Sequence, residues 1–274
     1  MQSPNSMIEK PIAQRRDRLS VFFNAFELSA SPVCRDTGPE AARLIVTAAP
    51  DGTPDRAVLC TRDDPYRQHG DAVLAAVKVD FGGAMNPLMN AMPDRFSVNL
   101  DEAPDLRAIV TVFLQEMLCE RCGQRVAIDG LCRVIVLMVL RRAVEIGTTG
   151  PGLLAGLSHP LLHRALVAIH DAPSRAWRIE QLAEISGLSR SRFMTLFSEV
   201  VGATPGVYLT SWRLALGQRA LSRGVQVKTA ARLVGFGSAS AFSRAYARTY
   251  GYAPAQIPGR RAPREWARGS KSLK

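Results

Sequence analysis

The feature that most restricts how this chain can fold is a phrase that occurs twice in its C-terminal third. The first copy reads Leu182-Ala-Glu-Ile-Ser-Gly187-Leu-Ser189 and continues Arg190-Ser-Arg-Phe193-Met-Thr-Leu-Phe197. The second reads Ala230-Ala-Arg-Leu-Val-Gly235-Phe-Gly-Ser238 and continues Ala239-Ser-Ala-Phe242-Ser-Arg-Ala-Tyr246. In each, a helix stops at a glycine, which accepts the left-handed conformation that ends helices. A serine then caps the next helix by accepting hydrogen bonds from its unpaired N–H groups. Ala183 and Ala231 are small enough for two helices to cross closely. The pattern predicts two helix-turn-helix units in tandem. Between them, Pro205 to Leu221 reads as one long helix with proline near its start. Val207, Leu209, Trp212, Leu214, Leu216 and Leu221 cover one broad apolar face of it.

Charge points to the same end of the chain. Residues 1–105 hold 11 Lys/Arg and 15 Asp/Glu, whereas residues 106–274 hold 24 and 9, so a net +15 lies in the second part. A basic half implies a polyanionic partner, either nucleic acid or an anionic membrane surface. The geometry favours DNA. A helix of about 17 residues spans on the order of 25 Å. With the width of the flanking units, that brings two recognition helices near one DNA turn, about 34 Å, apart. The opening MQSPNSMIEK lacks the apolar run of a secretory signal. The longest apolar stretch, Leu131 to Leu140, is interrupted by Arg133 and too short to span a bilayer. A cytoplasmic protein with no membrane partner is expected.

The first half follows a different period. Arg43-Leu-Ile-Val-Thr-Ala48, Ala57-Val-Leu-Cys-Thr61 and Ala72 to Asp80 read as strands separated by turn formers such as Pro50-Asp-Gly-Thr-Pro54. From Pro104, Leu106, Ile109, Val110, Phe113, Leu114 and Met117 recur at helical spacing. After Cys122-Gly123 a second helix carries Leu131, Val134, Ile135, Met138 and Leu140. Gly147-Thr-Thr-Gly-Pro-Gly152 then reads as a flexible break. The expectation is an α+β chain. Residues 1–150 form an effector-binding and dimerisation domain, with a small antiparallel β part over 20–105 and a helical hairpin over 105–146. An all-α domain of two helix-turn-helix units occupies 158–258, and a basic tail follows over 259–274. The hairpin's apolar stripe is more than a thin β domain can cover, so a homodimer is expected to form through it.

Cysteine and histidine usage excludes several chemistries. Cys34, Cys60, Cys119, Cys122 and Cys132 make an odd set, unsuited to a disulfide framework. Cys119-Glu-Arg-Cys122 is a single C-x-x-C without the second pair a structural zinc needs. A thiol redox switch is an alternative mode of control, with Arg121 beside Cys122 the one hint of a thiolate-favouring environment. Residues 1–150 contain a single histidine, His69, too few to ligate a cupin metal. No metal or catalytic site is expected, and an enzymatic role such as alkyl-transfer repair finds no nucleophile motif.

The stretch from His159 to Ile257 resembles the AraC/XylS family of transcription regulators. The resemblance lies in Leu182-Ala183…Gly187-x-Ser189-x-x-x-Phe193-x-x-x-Phe197, in Trp212-Arg213-Leu214…Ala220-Leu221, and in Val234-Gly235-Phe236…Phe242-x-Arg244-x-Tyr246…Gly251-x-Ala-Pro254. Ala255-Gln-Ile257 departs from the family's usual polar–Tyr–Arg ending. The resemblance implies sequence-specific binding to double-stranded DNA, with activation as the default. It places Ser191, Met194 and Thr195, flanked by Arg190 and Arg192, at the groove face of the first recognition helix. In the second it places Ser240, Ser243 and Arg244 there, with Arg248 one turn further on. Arginine can pair bidentately with guanine and hydroxyls can reach bases or phosphates, so the residue types agree. Phe193, Phe197, Phe242 and Tyr246 read as core anchors. Arg175, Arg178, Arg232, Arg260 and Arg261 read as phosphate neutralisers or solvated charge rather than readers of sequence.

Asp80-Phe-Gly-Gly…Asn86-Pro-Leu and the Glu120-Arg-Cys-Gly turn resemble the cupin-like effector domain of part of this family. A shortened cupin in this setting resembles family members that answer to cyclic di-GMP and act on exopolysaccharide genes. The arginine motif of such receptors, R-x-x-x-R, is matched here by Arg121-Cys-Gly-Gln-Arg125. The resemblance implies a small anionic effector, with cyclic di-GMP preferred, at Arg121 and Arg125. Arg62, Tyr66 and Arg67 in a turn, and Arg15 and Arg16, are further candidates, since paired arginines clamp phosphates and stack on guanine. A companion D/N-x-S-x-x-G string is absent.

Overall fold

The computed structural model describes residues 19–20, 28–32, 42–61, 72–81, 94–119, 121–147 and 150–257. Within them, five strands form one antiparallel sheet: β1 (Ser29–Pro32), β2 (Arg43–Ala48), β3 (Pro54–Cys60), β4 (Val73–Asp80) and β5 (Arg95–Asn99). Their spatial order is β1-β4-β2-β3-β5. The three expected strands are the three central ones. They carry the longest apolar runs of the five strands. β2 is buried on both faces from Arg43 to Thr47 and β3 from Ala57 to Cys60, while β4 alternates buried Ala75, Val77 and Val79 with partly exposed neighbours. Leu44 and Val46 join Leu59, Val77 and Val98 in the main core, while Ile45 joins Val58 and Cys60 on the opposite face.

Two helices cover the main-core face. α1 (Pro104–Leu118) buries Leu106, Val110 and Phe113. α2 (Gln124–Ile146) buries Ile128, Ile135, Val136 and Val139. The turn between them passes through Gly123 at φ 82°. There Gln124 Nε2 donates to Glu116 O at 2.8 Å and Cys119 O at 2.9 Å, which fixes the hairpin angle. Asp129 on α2 accepts from the Ala30 backbone N–H at 2.7 Å and so occupies a donor on edge strand β1. Val134, expected on the apolar stripe, is instead 42% exposed, because the buried strip runs through Ile135, Val136 and Val139.

The apolar core does not end at Gly147–Gly152. An unanticipated short helix, α3 (Leu153–Ser158), buries Leu153, Leu154 and Leu157 in the same cluster as the sheet. α4 (Leu162–Asp171), α5 (Ile179–Ile185) and α6 (Arg190–Val201) follow, then the long α7 (Pro205–Ser222). α8 (Val227–Leu233), α9 (Ala239–Tyr250) and a 3-10 turn at Pro254–Gln256 close the chain. Phe193, Phe197, Tyr208 and Trp212 belong to the main cluster, whereas Leu214, Leu221, Ala230, Ala231, Val234, Phe242, Tyr246 and Ile257 form a second one. The architecture is α+β, as the sequence patterns predict. Val207, expected on the buried face of α7, is 57% exposed.

Candidate nucleic-acid interface

The two units build their recognition helices in the same way. Gly187 (φ 67°) and Gly235 (φ 84°) take the left-handed turn after α5 and α8. Ser189 Oγ accepts from Arg192 N at 3.4 Å, and Ser238 Oγ from Ala241 N at 3.1 Å. Each cap satisfies one donor at its helix start and aims the helix outward. On the inner side Phe193, Phe197, Phe242 and Tyr246 are fully buried. Phe193 and Phe197 lie 5.5 Å apart, and Phe242 and Tyr246 lie 5.7 Å apart. With two aromatics anchoring one side, the opposite side must face outward.

On that outer side α6 exposes Ser191, Arg192 and Thr195, and α9 exposes Ser240, Arg244 and Arg248. Met194 and Ser243 sit half-buried at the flank of each face. Arg192, Arg244 and Arg248 make no ion pair among the described residues, so their guanidiniums can meet a polyanion. Arg190 differs: its Nε lies 2.9 Å from Glu180 Oε1, both side chains being well exposed. Helical spacing from Thr195 adds two exposed or half-exposed positions that sequence reasoning missed, Ser198 and Glu199. Arg178 and Arg232 are exposed at or near the scaffold helices α5 and α8, and Arg175 lies over the Trp177 ring at 4.2 Å. Arg260 and Arg261 lie outside the described residues.

The supporting core is polar at one point. His170 Nε2 and Tyr208 OH are 2.6 Å apart, and the His170 ring lies 4.5 Å from that of Trp212. Burial lowers the His170 pKa to about 3, so the ring stays neutral as it ties α4 to α7.

The expected effector arginines are distributed differently from their sequence pattern. Arg121 precedes the Gly123 turn and Arg125 lies in the first turn of α2, both exposed, with Arg121 Nη1 4.0 Å from Glu116. The turn is not helical at Arg121, so the four-residue spacing does not bring the two guanidiniums onto one helical face. Arg15, Arg16, Arg62, Tyr66 and Arg67 lie outside the described residues. The sheet face turned away from the hairpin offers other polar groups. In the strand register Arg43 stands between Lys78 and Cys60, and Cys60 stands opposite Arg95. On the same face the Thr47 and Ser97 hydroxyls are buried without a hydrogen-bond partner. Among the described cysteines, Cys122 is exposed, Cys60 is buried, and burial pushes the Cys132 thiol up to about 12. No group of three or more metal-ligating side chains occurs among the described residues, and none of their helices is long and apolar enough to cross a membrane.

Comparison with known proteins bears on the same two regions. The helix-turn-helix domain family matches residues 182–260, and the cupin family matches residues 28–145. An uncharacterized HTH-type transcriptional regulator of Haemophilus influenzae is 31% identical over 206 residues, covering 75% of this chain and 63% of its own. A putative AraC-like transcription regulator of Streptomyces lividans is 32% identical over 192 residues, covering 68% and 63%. The chain belongs to the AraC family of helix-turn-helix proteins, with an N-terminal cupin domain. A further relative is RclR, the RCS-specific HTH-type transcriptional activator of Escherichia coli, at 30% identity over 152 residues, 55% of this chain and 54% of its own. The AraC-family chain thus spans somewhat under two thirds of the length of these relatives.

Proposed function

We propose that this protein is a sequence-specific DNA-binding transcription regulator that sets α6 and α9 in successive major-groove segments on one face of the duplex. The observation that carries the reading is the pair of serine-capped helices, each anchored by two buried aromatics and each presenting hydroxyls and unpaired arginines outward. Gel-shift titration of Arg244→Ala on a DNA site selected by the protein, and on scrambled DNA, tests it. The expected loss is about 1–3 kcal/mol on the selected site with relaxed base preference, as for a bidentate base contact. Equal loss on both DNAs reduces Arg244 to a phosphate contact, and failure to select any sequence ends the reading. Activation is the expected sign, supported by the activator among its relatives.

The N-terminal domain is proposed to receive a small anionic effector. The cationic row of Lys78, Arg43 and Arg95 across the sheet and the unsatisfied Thr47 and Ser97 hydroxyls support this class of ligand. Cyclic di-GMP at Arg121 and Arg125 is the specific version, supported by the exposure of both side chains at the hairpin turn. Calorimetry with cyclic di-GMP on wild type and on Arg121→Ala/Arg125→Ala decides it: equal binding by both removes that site, and no binding by either removes the nucleotide. In the latter case an oxidant-responsive thiol at exposed Cys122 becomes the leading account. A homodimer through the hairpin is proposed from the exposure of Val112 (49%), Leu118 (85%) and Val126 (78%). A monomer by light scattering at micromolar concentration overturns it.

A further inference from the structure

A continuous helix fixes the distance between two units packed along it, but one more contact away from that helix is needed to fix their rotation. α7 supplies the first: Tyr208, Leu209 and Trp212 pack with the first unit and Leu214 and Leu221 with the second. Apolar packing between the units beyond α7 is slight, since their buried residues fall in separate clusters. The second contact is polar and lies at the segment between α4 and α5, residues 172–178.

That segment is held on two sides. Arg213 of α7 donates from Nε to Pro173 O at 2.7 Å and from Nη2 to Arg175 O at 2.8 Å. Trp177 Nε1 donates to Ala172 O at 2.9 Å and the Arg175 guanidinium covers the Trp177 ring, which gives the segment one shape. On its other side lies the turn of the second unit. A Cβ on Gly235 would stand 2.5 Å from Ser174 Cα and 2.7 Å from Ser174 O. Those are backbone atoms that cannot rotate aside. Gly187, the equivalent residue of the first unit, shares the left-handed conformation but has nothing within 4 Å of its Cβ position. Local turn geometry therefore accounts for Gly187 and leaves half of Gly235 unexplained.

We infer that Arg213 and Gly235 are positioning residues that set the angle between α6 and α9, and with it the spacing of the two DNA half-sites the protein accepts. The inference rests on the DNA-reading proposal above. Two linked binding modules gain affinity only when geometry lets both engage, and the gain is then large. Loss of the lock leaves each unit able to bind alone but misaligns the pair.

The test uses the full-length protein and a two-part site selected from random duplex DNA by wild type. Binding is measured to that site, to each half alone, and to sites with one base pair added or removed between halves. For Gly235→Ala the expected result is a loss of about 10- to 100-fold on the two-part site, unchanged binding to single halves, and a flattened or displaced spacer preference. Arg213→Lys keeps the charge but cannot serve two carbonyls with one planar fork, and is expected to follow in the same direction. Gly187→Ala is the control for left-handed strain and should leave spacer preference as in wild type. Equal losses on whole and half sites, or a Gly235→Ala variant with wild-type spacer preference, overturns the inference. If wild type selects no sequence, the DNA-reading proposal itself fails, and the lock with it.

Discussion

The same residues close the two helix-turn-helix units. Gly202 and Gly251 each end a recognition helix in the left-handed conformation, and Pro205 and Pro254 each open the next turn. Charge does not repeat. At equivalent exposed places the first unit carries Glu180, Glu184 and Glu199, and the second carries Lys228, Arg232 and Arg248. Surroundings differ as well. The first unit shares one apolar cluster with the sheet and hairpin, and the second is closed by its own ladder of Phe236, Phe242, Tyr246, Tyr250 and Tyr252. Gly152 N even donates to Val200 O at 2.9 Å, joining the exit of the N-terminal half directly to the end of α6. A cationic unit with an independent core suits steady attraction to phosphate. A unit that shares its core with the N-terminal half, with acidic groups at its rim, is placed so that changes in the proposed effector domain can reach its recognition helix.

The largest expected effect comes from breaking the core of one unit at a time. Phe242→Ala leaves a cavity against Gly217, whose Cβ position lies 2.6 Å from the Phe242 ring. The cost is about 3–5 kcal/mol. Because its cluster is separate, hydrogen exchange should accelerate across α8 and α9 and hardly change in α1 and α2. Phe193→Ala, at similar cost, should accelerate exchange in α1, α2 and α6 together. If Phe242→Ala loosens α1 and α2 as much as α9, the two cores act as one and the contrast between the units fails.

Acid should also separate them. The first unit buries His170 with its pKa lowered to about 3, and no histidine follows it in the chain. A lowered value means that the unfolded chain binds the proton more readily than the native one. The stabilisation is therefore complete above about pH 6.5 and is lost as pH falls towards about 3. Between pH 7 and pH 5 the loss should be about 2 kcal/mol. Local exchange rates in α4 and α7 near His170 should report it, while α9 stays nearly constant. A His170→Gln variant with the same pH response as wild type assigns the effect to another group.

Which parts of this were legible in the sequence follows from where the information sits. The strands at 43–48, 57–61 and 72–80 announced themselves because central strands need apolar residues on both faces. β1 (Ser-Ala-Ser-Pro) and β5 (Arg-Phe-Ser-Val-Asn) escaped because they are the two edges, short and polar as edges must be. The recognition faces were readable because caps, aromatic anchors and helical period lie within twelve residues of one another. The meeting of Gly235 with Ser174, and of Arg213 with Pro173, joins residues some forty or more positions apart, and no local pattern records it. The apolar positions of α3 lay in plain view, but the glycines before it suggested a break.

The smallest expected effect tests the charge contrast itself. Glu180 and Arg190 form an exposed ion pair at 2.9 Å, with side chains 63% and 68% accessible. Their counterparts in the second unit, Lys228 and Ala239, cannot form one. Exposed pairs contribute at most about 1 kcal/mol, since water screens them and both side chains lose freedom. Glu180→Gln should therefore leave thermal stability almost unchanged. Its effect on DNA should be easier to see, because it removes a carboxylate from the rim of the interface and releases Arg190 towards phosphate. The dependence of log affinity on log salt should steepen by about one unit. Lys228→Gln, at the matching place, should instead flatten it by about one. Opposite changes of slope from equivalent positions would confirm that the two units meet the phosphate backbone with different charge. If both substitutions leave the slope unchanged, these positions do not approach DNA, and the acidic rim of the first unit has no part in binding.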